Sequence, residues 1–282
     1  MSKQHGRERL TITLRKDLLP QIDATIDGAR IRNRSHAIEV LVTNALKPKS
    51  RRGLVLAGGS GIKMRPFTYE LPKTMLPVKG RPILEYTIDR LRDAGIHDIV
   101  IVIGHLGEKI REHFGDGSRF GVKIRYVEEK VQEGTAGPLR LAQQALGHQP
   151  FVLVYGDVLI DLDLNDLIEF HSAMGGLATI ALTSVKNPQD YGVVKMHGNK
   201  IVEFLQKPDQ KRSLSHLIYT GVGIMEPGVL GLIPKRGMSM LENDVFPKLA
   251  EQDKLIGYPF EGQWFDVGTP DVYEQALNEW PG

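Results

Sequence analysis

The amino-acid sequence predicts an α/β domain with a mixed, mostly parallel sheet, preceded by a small module of one strand and two helices. From residue 53 onward, short apolar runs alternate with stretches of helical periodicity, which is typical of parallel strands joined by helices. Before residue 47, a stretch of period two is followed by two helical stretches. Residues 47–52, with the sequence KPKSRR, are polar and contain a proline. They predict a linker between a module at 1–46 and a domain at 53–282.

The composition is that of a globular protein. The chain has 282 residues, of which 41% are hydrophobic and 25% are charged, so it can bury a full core without disulfides. It contains no cysteine, which excludes thiolate metal sites and cysteine nucleophiles. No apolar run approaches the roughly 18 residues of a membrane span, and the first ten residues lack the apolar stretch of a secretory signal. We therefore expect a cytoplasmic protein without a membrane partner.

Positive charge is concentrated in the N-terminal segment. Residues 1–52 hold twelve Lys and Arg against five Asp and Glu, a formal charge of +7. The other 230 residues hold 24 basic and 29 acidic residues, a formal charge of −5. A basic segment on a mildly acidic body indicates an arm for a polyanion. A solvated basic tail is the alternative, and charge alone does not decide between them.

The module at 1–46 has three predicted elements. Leu10, Ile12 and Leu14 alternate with polar residues, which predicts a half-buried strand. A first helix is predicted to end near Gly28, and Ser35 is the predicted N-cap of a second. The apolar stripes of the two helices consist of Leu18, Leu19, Ile22, Ile26, Ile38, Leu41, Val42 and Leu46. Because the strand has no partner within the module, we expect a homodimer or higher homo-oligomer that pairs two such strands.

Residues 8–46 resemble the ribbon-helix-helix family of DNA-binding proteins. The resemblance rests on the alternating strand, on Asn33-Arg34-Ser35 at the start of the second helix, and on the apolar stripe. In that family two strands pair as an antiparallel ribbon that enters the major groove of DNA. The resemblance implies a DNA-contacting surface formed by Arg9, Thr11, Thr13 and the backbone amides of Ser35 and His36. A dimerisation module without DNA binding is the alternative.

The elements of the body follow from its apolar runs. Strands are predicted at 54–57, 99–103, 122–127, 151–155 and 177–185, and helices at 83–91 and 139–146. The runs at 191–196 and 200–205 flank the polar turn His197-Gly198-Asn199, which predicts a β-hairpin.

The loop after the first strand of the body is rich in glycine. Its sequence over residues 56–66 is LAGGSGIKMRP. Glycines let backbone amides approach a phosphate closely, and Lys63, Arg65 and Lys73 can neutralise phosphate charge. The loop is not a Walker A loop, because no Gly-Lys-Ser/Thr follows, and it lacks the third glycine of the dinucleotide fingerprint. A tight turn with exposed cations is the alternative.

The longer pattern over residues 53–277 resembles the sugar-1-phosphate nucleotidyltransferases, which make nucleoside-diphosphate sugars. The signature of that family is Leu-Ala-Gly-Gly-x-Gly-Thr-Arg-Leu-x-Pro followed by Pro-Lys and Pro-Val, and residues 54–78 are similar to it. Five further motifs follow in order: Gly134-Thr135-Ala136-Gly137, Tyr155-Gly156-Asp157, Tyr191-Gly192-Val193-Val194, Lys207-Pro208 and Trp264-Phe265-Asp266-Val267-Gly268-Thr269. The resemblance implies a Rossmann-like nucleotidyltransferase domain.

The resemblance also implies a reaction. A sugar-1-phosphate oxygen attacks the α-phosphorus of a nucleoside triphosphate, and pyrophosphate leaves. Since the nucleophile is already an anion, no general base is required, and catalysis consists of positioning and charge neutralisation. Asp157 and Asp266 would hold Mg²⁺, which prefers oxygen ligands. For each aspartate, capping of a turn or helix is the alternative.

The matched motifs imply three sets of site residues. The implied catalytic residues are Lys63, Lys73 and Asp157. The implied nucleotide-binding residues are Leu56, Ala57, Gly58, Gly59, Gly61, Gly134 and Thr135. The implied sugar-phosphate-binding residues are Gly192, Lys207 and Thr220.

The chain departs from the family pattern in three places. Ile62 and Lys63 replace Thr-Arg, and Gln206 replaces the Glu that often precedes Lys-Pro. Lys63 keeps the charge but loses the bidentate grip of arginine on the leaving pyrophosphate. A working enzyme with altered rate or substrate is one interpretation, and a regulator that senses nucleotide sugars with weak or no catalysis is the other.

The substrate pair is only partly indicated. Residues 134–139 are especially similar to mannose-1-phosphate guanylyltransferases, so GTP and mannose-1-phosphate are slightly favoured. Glucose, thymidylyl and uridylyl relatives share much of this stretch. Because the sequence ends at Gly282, we expect no appended left-handed β-helix and no second acyltransferase activity.

Overall fold

The computed structural model of the chain describes residues 11–26, 28, 31–46, 52–209 and 215–282. Their packing divides the chain into two compact units, Met1–Lys47 and Pro48–Gly282. The first strand of the larger unit begins at Arg52, the last residue of the predicted linker.

The smaller unit contains two helices. A 3-10 turn at Lys16–Leu18 leads into α1 (Leu19–Ala24), and α2 (Arg34–Leu46) follows. Arg34 Nε donates a hydrogen bond to Asp23 Oδ1 at 2.6 Å. The two helices are therefore joined by a charge-assisted pair, which is stronger than a neutral hydrogen bond.

The helix ends of the smaller unit differ from the prediction. Asn33 rather than Ser35 is the N-cap of α2, because Asn33 Oδ1 accepts a hydrogen bond from the backbone N–H of His36 at 2.9 Å. Ser35 is exposed and lies in the first turn. The amide of His36, expected to meet a phosphate, is thus already engaged. The first helix ends at Ala24, before Gly28.

Residues 11–15 form no strand within the described part of the single chain. A strand needs a hydrogen-bonded neighbour, and the predicted neighbour is the same segment of a second chain, so the ribbon stays a prediction. The side chains of Thr11 and Thr13 are exposed. Residues 1–10, which include Arg9 and Leu10 of the predicted ribbon, lie outside the described residues.

Apolar side chains of the smaller unit lie at its surface. Ile22 and Ala37 are buried, whereas Leu41 and Val42 are 43% and 48% exposed. An open groove of about 430 Å³ is lined by Leu14, Leu18, Gln21, Ile22, Thr25, Ile38, Leu41 and Val42. The described residues of this unit therefore cover only part of its apolar face.

The larger unit alternates strands and helices in its first half. Its strands are β1 (Arg52–Ala57), β2 (Pro77–Val78), β3 (Arg81–Pro82), β4 (Asp98–Ile103), β5 (Lys123–Glu128), β6 (Phe151–Tyr155), β7 (Val158–Ile160), β8 (Ala178–Ser184), β9 (Gly192–His197), β10 (Lys200–Gln206), β11 (Leu217–Met225), β12 (Leu255–Pro259) and β13 (Trp264–Asp266). Its helices are α3 (Ile83–Asp93), α4 (Gly107–Phe114), α5 (Gly137–Leu146), α6 (Leu164–Met174), α7 (Phe246–Glu251) and α8 (Pro270–Glu279).

Nine of these strands form one mixed sheet within the described residues, in the order β5-β4-β1-β6-β11-β8-β12-β10-β9. The four strands β5, β4, β1 and β6 are parallel. Beyond them β11 runs antiparallel to both β6 and β8, and β12 runs parallel to β8. The predicted hairpin is formed by β9 and β10. The mixed α/β architecture predicted from the sequence is confirmed.

The parallel strands are buried on both faces. In β1, Leu54 packs into one apolar cluster and Val55 into another, because successive side chains point to opposite faces of a strand. Leu139 of α5 covers the first face, and Leu91 of α3 covers the second. This burial explains the continuous apolar runs that predicted the strands. No helix among the described residues is long and apolar enough to cross a membrane.

Candidate active site

The glycine-rich loop follows β1 at the carboxyl-terminal edge of the parallel strands. A Cβ at Gly58 would lie 2.7 Å from Glu129 Oε2, so a larger residue would displace this carboxylate. Gly61 has φ of +64°, a left-handed conformation that glycine adopts without strain. Thr68 Oγ1 donates to the carbonyl of Gly61 at 2.7 Å and holds the loop in place. Lys63 follows in a 3-10 turn and is exposed.

An ion pair at this edge joins Lys73 and Asp157. Lys73 opens the 3-10 turn after Pro72, and Asp157 lies in the tight turn between β6 and β7. Lys73 Nζ contacts Asp157 Oδ2 directly, and each side chain is only 19% exposed. Burial lowers the pKa of Lys73, but the charges of Asp157 and Asp266 outweigh it and raise the pKa overall. The site therefore holds Lys73 as a cation.

Asp266 lies beside Asp157 because β13 pairs with β7. The register places Asp266 opposite Val158, and the backbone N–H of Val267 donates to the carbonyl of Asp157 at 3.0 Å. Burial, and then the charge of Asp157, raise the pKa of Asp266 to about 6. The two aspartates, 109 residues apart in the sequence, thus form one acidic pair.

Three lysines surround this pair with positive charge. Lys73, Lys207 and Lys63 each lower the pKa of Asp266, against the larger effect of its burial. Lys207 follows β10, and its backbone N–H donates to the carbonyl of Tyr191 at 2.9 Å. The charges of the three predicted phosphate-binding lysines therefore all act on one carboxylate, although the lysines come from three separate parts of the chain.

Asp157 and Asp266 suit a hard divalent cation. Two adjacent carboxylates repel each other, and a cation with oxygen ligands relieves that repulsion. No group of three or more His, Asp or Glu side chains that could hold a metal occurs among residues described by the structure. The other ligands of such a cation would come from substrate phosphates and water, as is usual for Mg²⁺.

The loop predicted to face the nucleobase precedes α5. Gly134 has φ of +84°, and a Cβ there would lie 2.3 Å from the carbonyl oxygen of Ser239, so glycine is required. Thr135 Oγ1 donates to Glu242 Oε2 and accepts from the backbone N–H of Leu241. The hydroxyl of Thr135 is therefore engaged within the protein. The predicted contact of this loop with a nucleotide would then be made by backbone groups.

The predicted sugar side lies at the start of β9. A Cβ at Gly192 would lie 2.4 Å from the ring of Phe204 and 3.0 Å from Gln206 Oε1. That oxygen is buried and has no hydrogen-bond partner among the described residues. The ring of Tyr191, the residue before Gly192, packs edge to face on the ring of Trp264, with centroids 5.2 Å apart. The Gln206 oxygen is therefore available to accept a hydrogen bond from a ligand.

Thr220 is a buried residue of β11 that forms a hydrogen bond with Trp264. Its side chain is 1% exposed, and its hydroxyl donates to the carbonyl of Ala181 at 3.0 Å. Its own carbonyl accepts a hydrogen bond from Trp264 Nε1 at 3.0 Å. The hydroxyl of Thr220 is therefore engaged within the sheet, and its predicted contact with a sugar phosphate stays a prediction.

One open cavity of about 320 Å³ joins the glycine loop to the nucleobase loop. Of the predicted residues it is lined by Leu56, Gly58, Gly59, Gly134, Thr135 and Asp157. Ala57 turns its side chain into the core and can contribute only its backbone. The cavity is also lined by Glu129, Gln132, Tyr155, Met238 and Met240. Of these, only Tyr155 lies in a motif, and no role was predicted for it.

The sequence is similar to known proteins over the larger unit. Residues 52–281 match the Nucleotidyl transferase family. A UTP–glucose-1-phosphate uridylyltransferase from Synechocystis sp. is 36% identical over 247 residues, covering 80% of this chain and 62% of the relative. A mannose-1-phosphate guanyltransferase from Pichia angusta is 37% identical over 233 residues, covering 80% and 63%. The chain thus spans a little less than two thirds of the length of these relatives.

Solved structures share the fold. A Bacillus anthracis protein assigned as a glucose-1-phosphate thymidylyltransferase, in complex with sucrose, has a TM-score of 0.75 at 27% identity, covering 80% of this chain and 94% of that one. A UDP-glucose pyrophosphorylase has a TM-score of 0.73 at 21% identity, covering 82% and 98%, which supports the fold alone. These matches confirm the resemblance to sugar-1-phosphate nucleotidyltransferases, and the chain belongs to the nucleotidyl transferase family.

Proposed function

We propose that the larger unit transfers a nucleotidyl group from a nucleoside triphosphate to a sugar-1-phosphate, giving a nucleoside-diphosphate sugar and pyrophosphate. The observation that carries the proposal is the acidic pair Asp157 and Asp266, surrounded by Lys63, Lys73 and Lys207. This arrangement suits a reaction between two polyanions, because charge neutralisation is the main requirement of that chemistry.

The chain's own residues would bring the substrates together. The sugar phosphate oxygen attacks the α-phosphorus, the bond to the bridging oxygen breaks, and pyrophosphate carries away the electron pair. Lys73, held as a cation, neutralises charge at the α-phosphate. Lys207 would hold the sugar phosphate and Lys63 the leaving pyrophosphate. Backbone groups of Gly58 and Gly134 would orient the nucleotide in the cavity.

Asp157 and Asp266 would hold Mg²⁺. When bound, the ion supplies charge neutralisation and fixes the phosphate oxygens for in-line displacement. A preference for this ion is supported by the two carboxylate donors and by the shortage of further protein ligands among the described residues.

We favour GTP and mannose-1-phosphate as the substrate pair. Support comes from the similarity of residues 134–139 to guanylyltransferases and from relatives named as mannose-1-phosphate guanyltransferases in Pichia angusta and Saccharomyces cerevisiae. The Synechocystis relative is named for UTP and glucose-1-phosphate, so this pair is the principal alternative.

Release of pyrophosphate tests the proposed activity. The full chain with Mg²⁺, a nucleoside triphosphate and a hexose-1-phosphate should release pyrophosphate, and Asp266→Asn should reduce the rate by about 100-fold or more. Asp93→Asn removes an exposed carboxylate of α3 and serves as the control, with an unchanged rate. Absence of turnover for every common pair, together with retained binding of nucleotide sugars, would favour a sensor over an enzyme.

We further propose that the smaller unit forms a dimer that binds DNA. The formal charge of +7 over residues 1–52 and the exposed Thr11 and Thr13 support this proposal. Selection of genomic fragments should recover a two-fold symmetric site, and replacing Arg9, Thr11 and Thr13 with Ala should abolish the preference. Recovery of no preferred sequence, with equal loss of affinity for all fragments as salt rises, would reduce the unit to an oligomerisation device.

A further inference from the structure

Glu242 is a buried carboxylate that the proposed chemistry does not use. It is 5% exposed and lies in the π-helical turn Leu241–Val245, just before α7. Burial of a carboxylate is costly unless hydrogen bonds satisfy its oxygens. The hydrogen-bond partners of Glu242 therefore identify the part of the structure that this buried side chain stabilises.

Each oxygen of Glu242 accepts a hydrogen bond from a different wall of the nucleotide cavity. Oε2 accepts from Thr135 Oγ1 at 2.5 Å, and Oε1 accepts from the phenol of Tyr155 at 2.6 Å. Thr135 belongs to the nucleobase loop, whereas Tyr155 ends β6 two residues before Asp157. One carboxylate thus joins the wall that faces the base to the strand that carries a proposed metal ligand.

The segment 239–242 follows the nucleobase loop closely along its backbone. The N–H of Ala136 donates to the carbonyl of Ser239 at 2.9 Å, and the N–H of Ser239 donates to the carbonyl of Glu133 at 2.9 Å. The N–H of Leu241 donates to Thr135 Oγ1 at 2.8 Å. The loop therefore has its position set by this segment, and Glu242 supplies the link from the segment to β6.

We propose that Glu242 is a positioning residue that fixes the nucleobase loop against the end of β6 and so sets the affinity for the nucleoside triphosphate. The proposal rests on the proposed function of the larger unit. Because its two hydrogen bonds run to different walls, this one buried side chain can hold both walls in register. The sugar side, around Gly192 and Lys207, has no bond to Glu242 among the described residues.

The consequence is a selective effect on one substrate. Glu242→Gln keeps the shape of the side chain but presents an amide N–H₂ to one of the two hydroxyl donors. One hydrogen bond is then lost or reversed, which weakens the link between the nucleobase loop and β6. The affinity for the nucleoside triphosphate should fall, while the KM for the sugar-1-phosphate should stay nearly constant.

The experiment measures nucleotide binding by titration calorimetry on the full chain with Mg²⁺. The wild type is first titrated with GTP, UTP, dTTP, ATP and CTP, and the tightest binder is used. Glu242→Gln should raise the Kd of that nucleotide by about tenfold or more, with the KM of the sugar-1-phosphate changed by less than about twofold. Glu226→Gln is the matched control. Glu226 contacts His171 and follows β11 at the end that pairs with the start of β6, whereas Tyr155 lies at the opposite end of β6.

A double-mutant cycle with Thr135 tests whether the hydrogen bond between Thr135 and Glu242 itself sets the nucleotide affinity. Thr135→Val should raise the Kd as Glu242→Gln does, and Thr135→Ser, which keeps the hydroxyl, should restore most of the affinity that Thr135→Val loses. The variant with both Glu242→Gln and Thr135→Val should bind no more weakly than the worse single variant. These Thr135 variants also carry the test where Glu242→Gln fails to fold. An unchanged Kd, multiplicative effects in the cycle, or equal losses for both substrates would overturn the positioning role. A wild type that binds none of the five nucleotides would overturn the proposed function, and this inference with it.

Discussion

The two units of the chain differ in how completely they bury their apolar residues. In the larger unit, side chains such as Leu54, Val100 and Leu153 are fully buried in the apolar cluster on one face of the sheet. In the smaller unit, Leu41 and Val42 remain nearly half exposed beside an open groove. The larger unit therefore has the closed core of a globular domain, whereas the described residues of the smaller unit leave part of its apolar face uncovered.

The largest expected effect is on the rate of nucleotidyl transfer, when a charged residue of the larger unit's candidate active site is removed. Lys73→Ala leaves Asp157 without its ion-pair partner, and it removes the positive charge that we propose neutralises the α-phosphate. We expect the rate of nucleotidyl transfer to fall by about 100- to 1,000-fold. Steady-state pyrophosphate release measures this, with Lys248→Ala on the surface of α7 as the control. A loss of less than tenfold would show that Lys73 is a structural partner of Asp157 only.

Core truncation tests the difference in burial. Leu153→Ala in β6 should cost about 2–5 kcal/mol of unfolding free energy, because it opens a cavity in a fully packed cluster. Leu41→Ala in α2 removes a side chain that is 43% exposed, and it should leave the unfolding of the larger unit unchanged. Denaturant unfolding of the two variants measures this. Equal costs would contradict the separate cores of the two units.

The groove of the smaller unit gives the next effect. Val42→Asp places a charge on the exposed apolar face, so it should raise the dissociation constant of the proposed dimer by about tenfold or more. Nucleotidyl transfer by the larger unit should be unaffected. Analytical ultracentrifugation over a range of concentrations measures the association. An unchanged mass per particle would place any subunit contact in the larger unit instead.

The smallest effect is expected at Lys63. If Lys63 holds the leaving pyrophosphate, Lys63→Arg should raise kcat/KM by a few-fold, since the guanidinium binds two oxygens at once. Lys186→Arg, in the exposed loop after β8, controls for the exchange of a surface lysine. A lower kcat/KM for Lys63→Arg would show that the site is built around the shorter cation.

Much of the active site was predictable because its motifs are local. A glycine loop after a strand, or an aspartate after an apolar run, is visible within ten residues of sequence, and Lys73, Asp157 and Asp266 do meet in the structure. Glu242 was not predictable, because its partner Thr135 is 107 residues away and a lone glutamate carries no pattern. Long-range hydrogen bonds of this kind become visible only once the fold brings their partners together.

The smaller unit was less predictable for two other reasons. Asn33 and Ser35 are both good N-caps, and the choice between them depends on where the helix begins, which propensity alone does not determine. The predicted strand depends on pairing with a second chain, so its hydrogen bonds are not a property of one chain.

The most direct test compares the full chain with a truncated chain of residues 48–282. Both are incubated with Mg²⁺, GTP and mannose-1-phosphate, and with UTP and glucose-1-phosphate, and the sugar nucleotide formed is measured by chromatography. If the larger unit carries a complete site, the two chains should form the same sugar nucleotide at rates within about twofold of each other. Product from the full chain alone would show that the smaller unit completes the site, and no product from either chain would contradict the proposed transfer.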